Sequence, residues 1–199
     1  MQSLSKVNAL IASVGLLTLG SICHAVPLIV NGDFETGDFT GWVLSVDSNG
    51  TEVFPSGLAG IVAESGNFYA ALGNTGALGH LSQSFTSVPG KYYLLDYFLA
   101  SDGRIHNEFV SVAAGNTLYS VINLPHQLMT EYSFTFKATA ALTTIDFGSI
   151  NRPGFLGLDS VSVTAILPEP GAYSLGLVAL LMSGMGIGLV RRKRSTSCD

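Results

Sequence analysis

An all-β sandwich is the fold class that residues 26–167 predict, and two observations carry it. No ten-residue amphipathic helical pattern occurs there, and period-two apolar runs recur between clusters of Gly, Pro, Asn and Asp. Among sandwiches the jelly roll is the expected form for short strands at this spacing. At 199 residues the chain has room for one such domain with targeting segments on either side.

The elements follow from the alternation. Asp47-Ser48-Asn49-Gly50 reads as a turn between strands at Val43–Val46 and Thr51–Phe54. In "KYYLLDYFLAS", Tyr93, Leu95, Tyr97 and Leu99 share one face while Tyr92, Leu94, Asp96 and Phe98 share the other. Both faces are largely apolar, which predicts a central strand. "EYSFTFKAT" sets Tyr132, Phe134 and Phe136 against Ser133, Thr135 and Lys137, a strand with one buried and one wet face. "TTIDFGS" and "LDSVSVTAI" repeat the pattern with Ile145, Phe147, Val161 and Val163 inward, and Pro89-Gly90 and Gly115-Asn116 supply turn chemistry between neighbouring strands.

Charge excludes one class of function. Residues 26–167 hold twelve acidic side chains against four basic ones, Lys91, Arg104, Lys137 and Arg152, a net of −8. Nucleic-acid binding needs clustered Lys and Arg to neutralise phosphates, so no nucleic-acid partner is expected. The cysteines, Cys23 and Cys198, both fall outside this stretch, so the domain has no disulfide.

Residues 1–25 read as a secretory signal peptide. Lys6 is the only charge, Ala9 to Gly20 is apolar, and Cys23-His24-Ala25 places small residues where signal peptidase cuts. A lipoprotein-type signal would need a small residue before Cys23, where Ile22 stands. Near the other end, residues 171–190 form a run of twenty uncharged, mostly apolar residues. As a helix it would span a bilayer of about 30 Å. Arg191, Arg192, Lys193 and Arg194 follow at once and predict a cytoplasmic C-terminus with the body outside.

Pro168-Glu169-Pro170, the apolar run and the basic cluster, in that order over residues 168–194, resemble the PEP-CTERM sorting signal of Gram-negative bacteria. The resemblance implies recognition by an exosortase, cleavage near the tripeptide, transient anchorage in the inner membrane, and transfer to the outer envelope or extracellular matrix. A permanent anchor is the alternative.

In the body, "VNGDFETGDFTGW" (Val30 to Trp42), "AESGNFYAAL" and "GFLGLDSVSV" occur in order and resemble the galactose-binding-like jelly rolls that include many carbohydrate-binding modules. Asp159 is followed by Ser160 where that family usually has a second aspartate. The resemblance implies one structural calcium ion joining the first strand to the last. Glu35 and Asp159 would supply carboxylates, Asp33 a carbonyl, and the Glu64 to Asn67 loop the remaining oxygens, a hard-oxygen set suited to Ca²⁺. The residues themselves equally allow turn-flanking surface positions without metal. In the same motif the tryptophan packs inside, which makes Trp42 a core residue rather than a platform.

Sugar binding needs aromatic faces for the rings and planar polar groups for the hydroxyls. The candidates on the non-core alternation are Tyr92, Asp96, Phe98, Phe109 and Asp146, with Arg104, His106 and Asn107 in the loop "SDGRIHNEF". Asp102, His106 and Glu108 also admit a metal or acid–base reading, against which a solvated turn is favoured. Zinc-peptidase and nucleophile-elbow motifs do not occur in the chain, and no enzyme activity is expected. The leading reading is an exported, non-catalytic domain that associates with extracellular polysaccharide. A display or adhesion component without a glycan site, and a small hydrolase, are the alternatives.

Overall fold

The computed structural model describes residues 27–45, 50–104, 106–151 and 153–166. The expected signal peptide with its expected cleavage residue Ala25, the Pro168-Glu169-Pro170 motif, the apolar run and the basic cluster lie outside these residues. Among the described residues, no helix is long and apolar enough to cross a membrane.

Ten strands form two antiparallel five-stranded sheets. They are β1 (Val43–Leu44), β2 (Thr51–Pro55), β3 (Phe68–Leu72), β4 (Gly79–Thr86), β5 (Tyr92–Ser101), β6 (Glu108–Ala113), β7 (Asn116–Ile122), β8 (Gln127–Lys137), β9 (Leu142–Ile150) and β10 (Leu156–Ala165). The first sheet runs β1-β4-β9-β6-β7 and the second β2-β3-β10-β5-β8. Consecutive strands mostly change sheet, which is the jelly-roll pattern.

The apolar-on-both-faces β5 lies between β10 and β8. Its inner face, Tyr93, Leu95, Tyr97 and Leu99, is buried with Ile145, Phe147, Val161 and Val163 from β9 and β10. Aromatic rings hold the centre, with Phe147 at 5.2 Å from Tyr97, 6.1 Å from Phe109 and 6.1 Å from Trp42. Trp42 is 7 % exposed, and its indole N–H donates to the Asn31 carbonyl at 2.9 Å, so it is a satisfied core residue.

Two of these turns join strands that do not pair with each other. Val43–Leu44 pairs with β4 and Thr51–Pro55 pairs with β3, so these segments lie in different sheets and do not form a hairpin. Most of the intervening turn, 46–49, lies outside the described residues. Pro89-Gly90 likewise turns a corner from β4 to β5, between sheets. Turn composition marks where the chain bends and says nothing of which strand it bends toward. Ala114-Gly115, with φ of 51° and 77°, does close a hairpin between β6 and β7, as two left-handed residues should.

Candidate functional site

The block Asn31 to Glu35 is shaped by its own backbone. Asn31 and Phe34 have positive φ, and the turn drives the Phe34 ring fully into the core, 5.5 Å from Trp42. That turn leaves Glu35 facing the loop Glu64–Phe68. Its Oε1 accepts from the backbone N–H of Asn67 at 2.7 Å and of Phe68 at 2.8 Å, and its Oε2 from the Asn67 side-chain amide at 3.3 Å. The hydrogen bond from the Asn67 backbone N–H is the main cause that holds the Glu35 carboxyl below its ordinary pKa. Gly66 sits at the loop tip with φ +64°, where a Cβ would stand 2.3 Å from the Glu35 carboxyl carbon. The "ESGN" spelling is therefore what this contact demands.

Asp159 reaches the same loop from β10. Its Oδ2 accepts from Glu64 N at 2.8 Å and Ser65 N at 3.2 Å, and its Oδ1 from Ser160 N at 2.6 Å. The side chain is fully buried, and burial pushes its pKa up to about 6, with the Glu35 charge adding to the rise. The Asp33 side chain takes no part in this grip; its Oδ1 accepts the Glu35 N–H in a local turn at 3.4 Å. Glu64 contributes its amide rather than its carboxylate.

A cation test can be made on these atoms. Two carboxylates from the first and last blocks converge on one loop, one of them is buried, and neither has an ion-pair partner among the described residues. Among those residues no three His, Cys, Asp or Glu side chains form a metal cluster, so a bound cation would draw its other ligands from backbone carbonyls. All four carboxylate oxygens accept N–H groups here, so a hard divalent ion would need backbone carbonyls turned toward them to complete its oxygen shell.

A second feature lies on the outer face of β10, β5 and β8. Register places Lys137 beside Tyr92, Thr135 and Thr164 beside Leu94, Ser133 and Ser162 beside Asp96, and Glu131 and Asp159 beside Phe98. Tyr92 is exposed and Phe98 half-buried. The Lys137 ammonium stands 5.7 Å over the Tyr92 ring, and the Ser133 hydroxyl donates to Asp96. Further along this sheet Ile61 and Ala63 of the β2–β3 loop roof Tyr69, Ala71 and Ala100 in a small second core. The open part therefore presents the Tyr92 ring and the half-buried Phe98 ring, with the Asp96 carboxylate and the hydroxyls of Ser133, Thr135, Ser162 and Thr164 between them.

The other sequence candidates separate. Arg104 stands at the loop end of the sandwich, in a hollow of about 370 Å³ with Asp102, Gly154 and Phe155. Asp102 ties two loops there by accepting from Phe155 N at 2.9 Å and Arg104 N at 3.0 Å. His106, exposed at φ +72°, donates its backbone N–H to Asn123. Asp146 lies on the outer face of the other sheet, 2.7 Å from His80 Nδ1.

Two candidates are corrected outright. Phe109 is fully buried among Tyr97 and Phe147 and is unavailable to a ligand. In "EFVSVA" both parities are partly apolar, so alternation alone left its face undecided. Asn107 is also buried. Its amide donates to the carbonyls of Arg104 at 3.0 Å and Leu124 at 2.9 Å and accepts from Leu124 N at 2.6 Å, clamping the two loops flanking β6 and β7. Asn107→Ala should cost about 2 kcal/mol by leaving buried backbone groups unpaired, read as a lower urea midpoint with unchanged slope.

No protein-family model matches the chain, and no curated protein matches its sequence. Solved structures do. The carbohydrate-binding module TmCBM61, in complex with β-1,4-galactotriose, superposes with TM-score 0.56 at 17 % identity over 71 % of this chain and 100 % of that one. The body shares the jelly-roll fold of that module. The CBM22-1–GH10 portion of Clostridium thermocellum xylanase 10B, complexed with xylohexaose, matches with TM-score 0.51 at 15 % identity over 73 % of this chain. That match spans 30 % of the xylanase chain.

Proposed function

We propose that this protein is an exported, non-catalytic module that associates with extracellular polysaccharide through the open face of β10, β5 and β8. The observation that carries the reading is the alignment of exposed Tyr92 with the partly exposed Asp96 and Phe98 along one strand face, flanked by Ser133, Ser162 and Thr164. Rings stack on sugar faces while carboxylate and hydroxyls take the sugar hydroxyls. Support also comes from the fold, which in TmCBM61 holds a galactotriose.

Two further parts of the reading concern holding and delivery. A calcium ion would be held by the carboxylates of Glu35 and Asp159, with backbone carbonyls of Asp33 and the Glu64–Asn67 loop. Its charge would offset the two carboxylates. Delivery would follow the flanking sequences: signal-peptidase cleavage after Ala25, a transient inner-membrane stage with residues 171–190 as the span, then exosortase processing at Pro168-Glu169-Pro170.

The test is retention on a glycan array, with and without calcium, followed by substitution. Tyr92→Ala with Phe98→Ala should weaken binding by about tenfold or more, as removal of anchoring aromatics does, while the melting transition stays cooperative. Retention equal to wild type would overturn the site. A second reading, a display or adhesion protein without a glycan site, is favoured by one observation. The polar groups of the face already serve each other, Lys137 over Tyr92 and Ser133 on Asp96. An array with no retained glycan would support that reading.

A further inference from the structure

We infer that the end of the sandwich from which the chain leaves toward residue 171 is built to rest on an anionic lipid surface. The inference rests on the membrane-span reading above and goes beyond it, since a span by itself leaves the body free to tumble.

Three chain segments meet at this end. The Ser87 N–H donates to the Ala141 carbonyl at 2.9 Å, Gly90 N–H to the Ala138 carbonyl at 2.7 Å, and Ile166 N–H to the Tyr92 carbonyl at 2.9 Å. The corner between β4 and β5, the corner between β8 and β9 and the last described residue are thus one surface. It exposes large apolar side chains, with Val88 55 %, Tyr92 51 %, Leu142 64 % and Ile166 42 % accessible, and Pro89, Ala140 and Ala141 are exposed beside them. Both lysines of the body, Lys91 and Lys137, are exposed here.

Charge separates this end from the rest of an acidic domain. No Asp or Glu occurs in 86–95, 132–145 or 160–166, although residues 26–167 carry twelve. Aliphatic side chains, a tyrosine and lysines with no acid among them are what the headgroup layer of an anionic bilayer accepts.

The chain length fixes the occupant. Only four residues, 167–170, separate Ile166 from the apolar run. The five steps from Ile166 to Gly171, at ~3.5 Å each, reach at most about 18 Å, less than the length of the sandwich. With 171–190 in the bilayer, the surface that carries Ile166 is the one that meets lipid. The loop end with Thr75, beside Asn151 at the far end of β9, stands a strand length away, roughly 25 Å for eight residues of β4.

The experiment uses the full chain with Cys23→Ser and Cys198→Ser, an environment-sensitive fluorophore on Leu142→Cys or on Thr75→Cys, and vesicles of phosphatidylglycerol with phosphatidylcholine or of phosphatidylcholine alone. Flotation with vesicles tests the span; a chain that fails to float overturns both the span and this inference. In floating samples with anionic lipid, the probe at position 142 should shift to the blue and be quenched by a lipid-borne quencher, whereas the probe at 75 should not. Each lysine at an anionic surface is worth about fivefold in partitioning, so Lys91→Gln with Lys137→Gln should lower the equilibrium constant for seating on the membrane by about 25-fold while flotation persists. Flotation with equal quenching at 142 and 75 overturns the inference and leaves the span standing.

Discussion

Gly32→Ala will destabilise the sandwich by at least about 3 kcal/mol, because the new methyl group has no place to go. A Cβ at Gly32 would stand 1.9 Å from the Val161 carbonyl oxygen and 3.0 Å from its carbonyl carbon. Both are backbone atoms of β10, so no side-chain rotation relieves the clash. The same residue accepts the Val161 N–H at 2.8 Å, where β10 bulges between Asp159 and Ser162. Relief therefore requires the first block to lift from the last strand. That movement would loosen Phe34 in the core and draw Glu35 from the Asn67 and Phe68 amides. Gly76→Ala is the matched comparison, since a Cβ there meets nothing within 4 Å, and it should change stability by less than about 0.5 kcal/mol. Urea midpoints at equal slopes decide the matter; a Gly32→Ala midpoint equal to that of Gly76→Ala would show that the two blocks are not tightly joined.

That contact explains why some of the molecule was legible in sequence and some was not. Alternation identified the inward faces of β5, β9 and β10, because a strand buried on one face must repeat every second residue. The block Asn31 to Glu35 and the "ESGN" loop were legible as motifs because each glycine answers a backbone requirement, Gly32 against Val161 and Gly66 against Glu35. Sheet membership was not legible. Asp47-Ser48-Asn49-Gly50 has the composition of a hairpin turn, yet β1 and β2 go to opposite sheets, since the partners β4 and β3 are chosen by packing far along the chain. Nor could sequence show that Asn107 is a clamp, because its partner Leu124 is 17 residues away. The candidate face fared in the same way. Tyr92, Asp96 and Phe98 share one strand and came out together, while Arg104, Asn107 and Phe109, drawn from the following loop and strand, were dispersed by the crossing to the other sheet.

Calcium removal is the other large effect expected. Asp159 is fully buried and its carboxylate receives only amide donors, with a second carboxylate, Glu35, on the same loop. Burying a charge without a counter-charge is costly, and the rise of its pKa to about 6 expresses that cost. The sign for the metal-free protein follows. A carboxyl whose folded pKa lies above its unfolded value binds a proton more tightly in the folded state, so its contribution is fully present below about pH 4 and is lost as pH rises through about 6. In chelator, stability should therefore decline across that window, and Asp159→Asn should remove this part of the decline. A divalent cation that binds only the folded state adds RT ln(1 + [L]/Kd), about 2.7 kcal/mol at a hundredfold excess over Kd. At neutral pH the wild type should thus melt several degrees higher in calcium than in chelator. Glu35→Gln with Asp159→Asn should melt at one temperature in both, since neither side chain then brings a charge to the loop. A wild-type midpoint that does not move on chelation would remove calcium from the reading and leave the amide contacts as the whole of the staple.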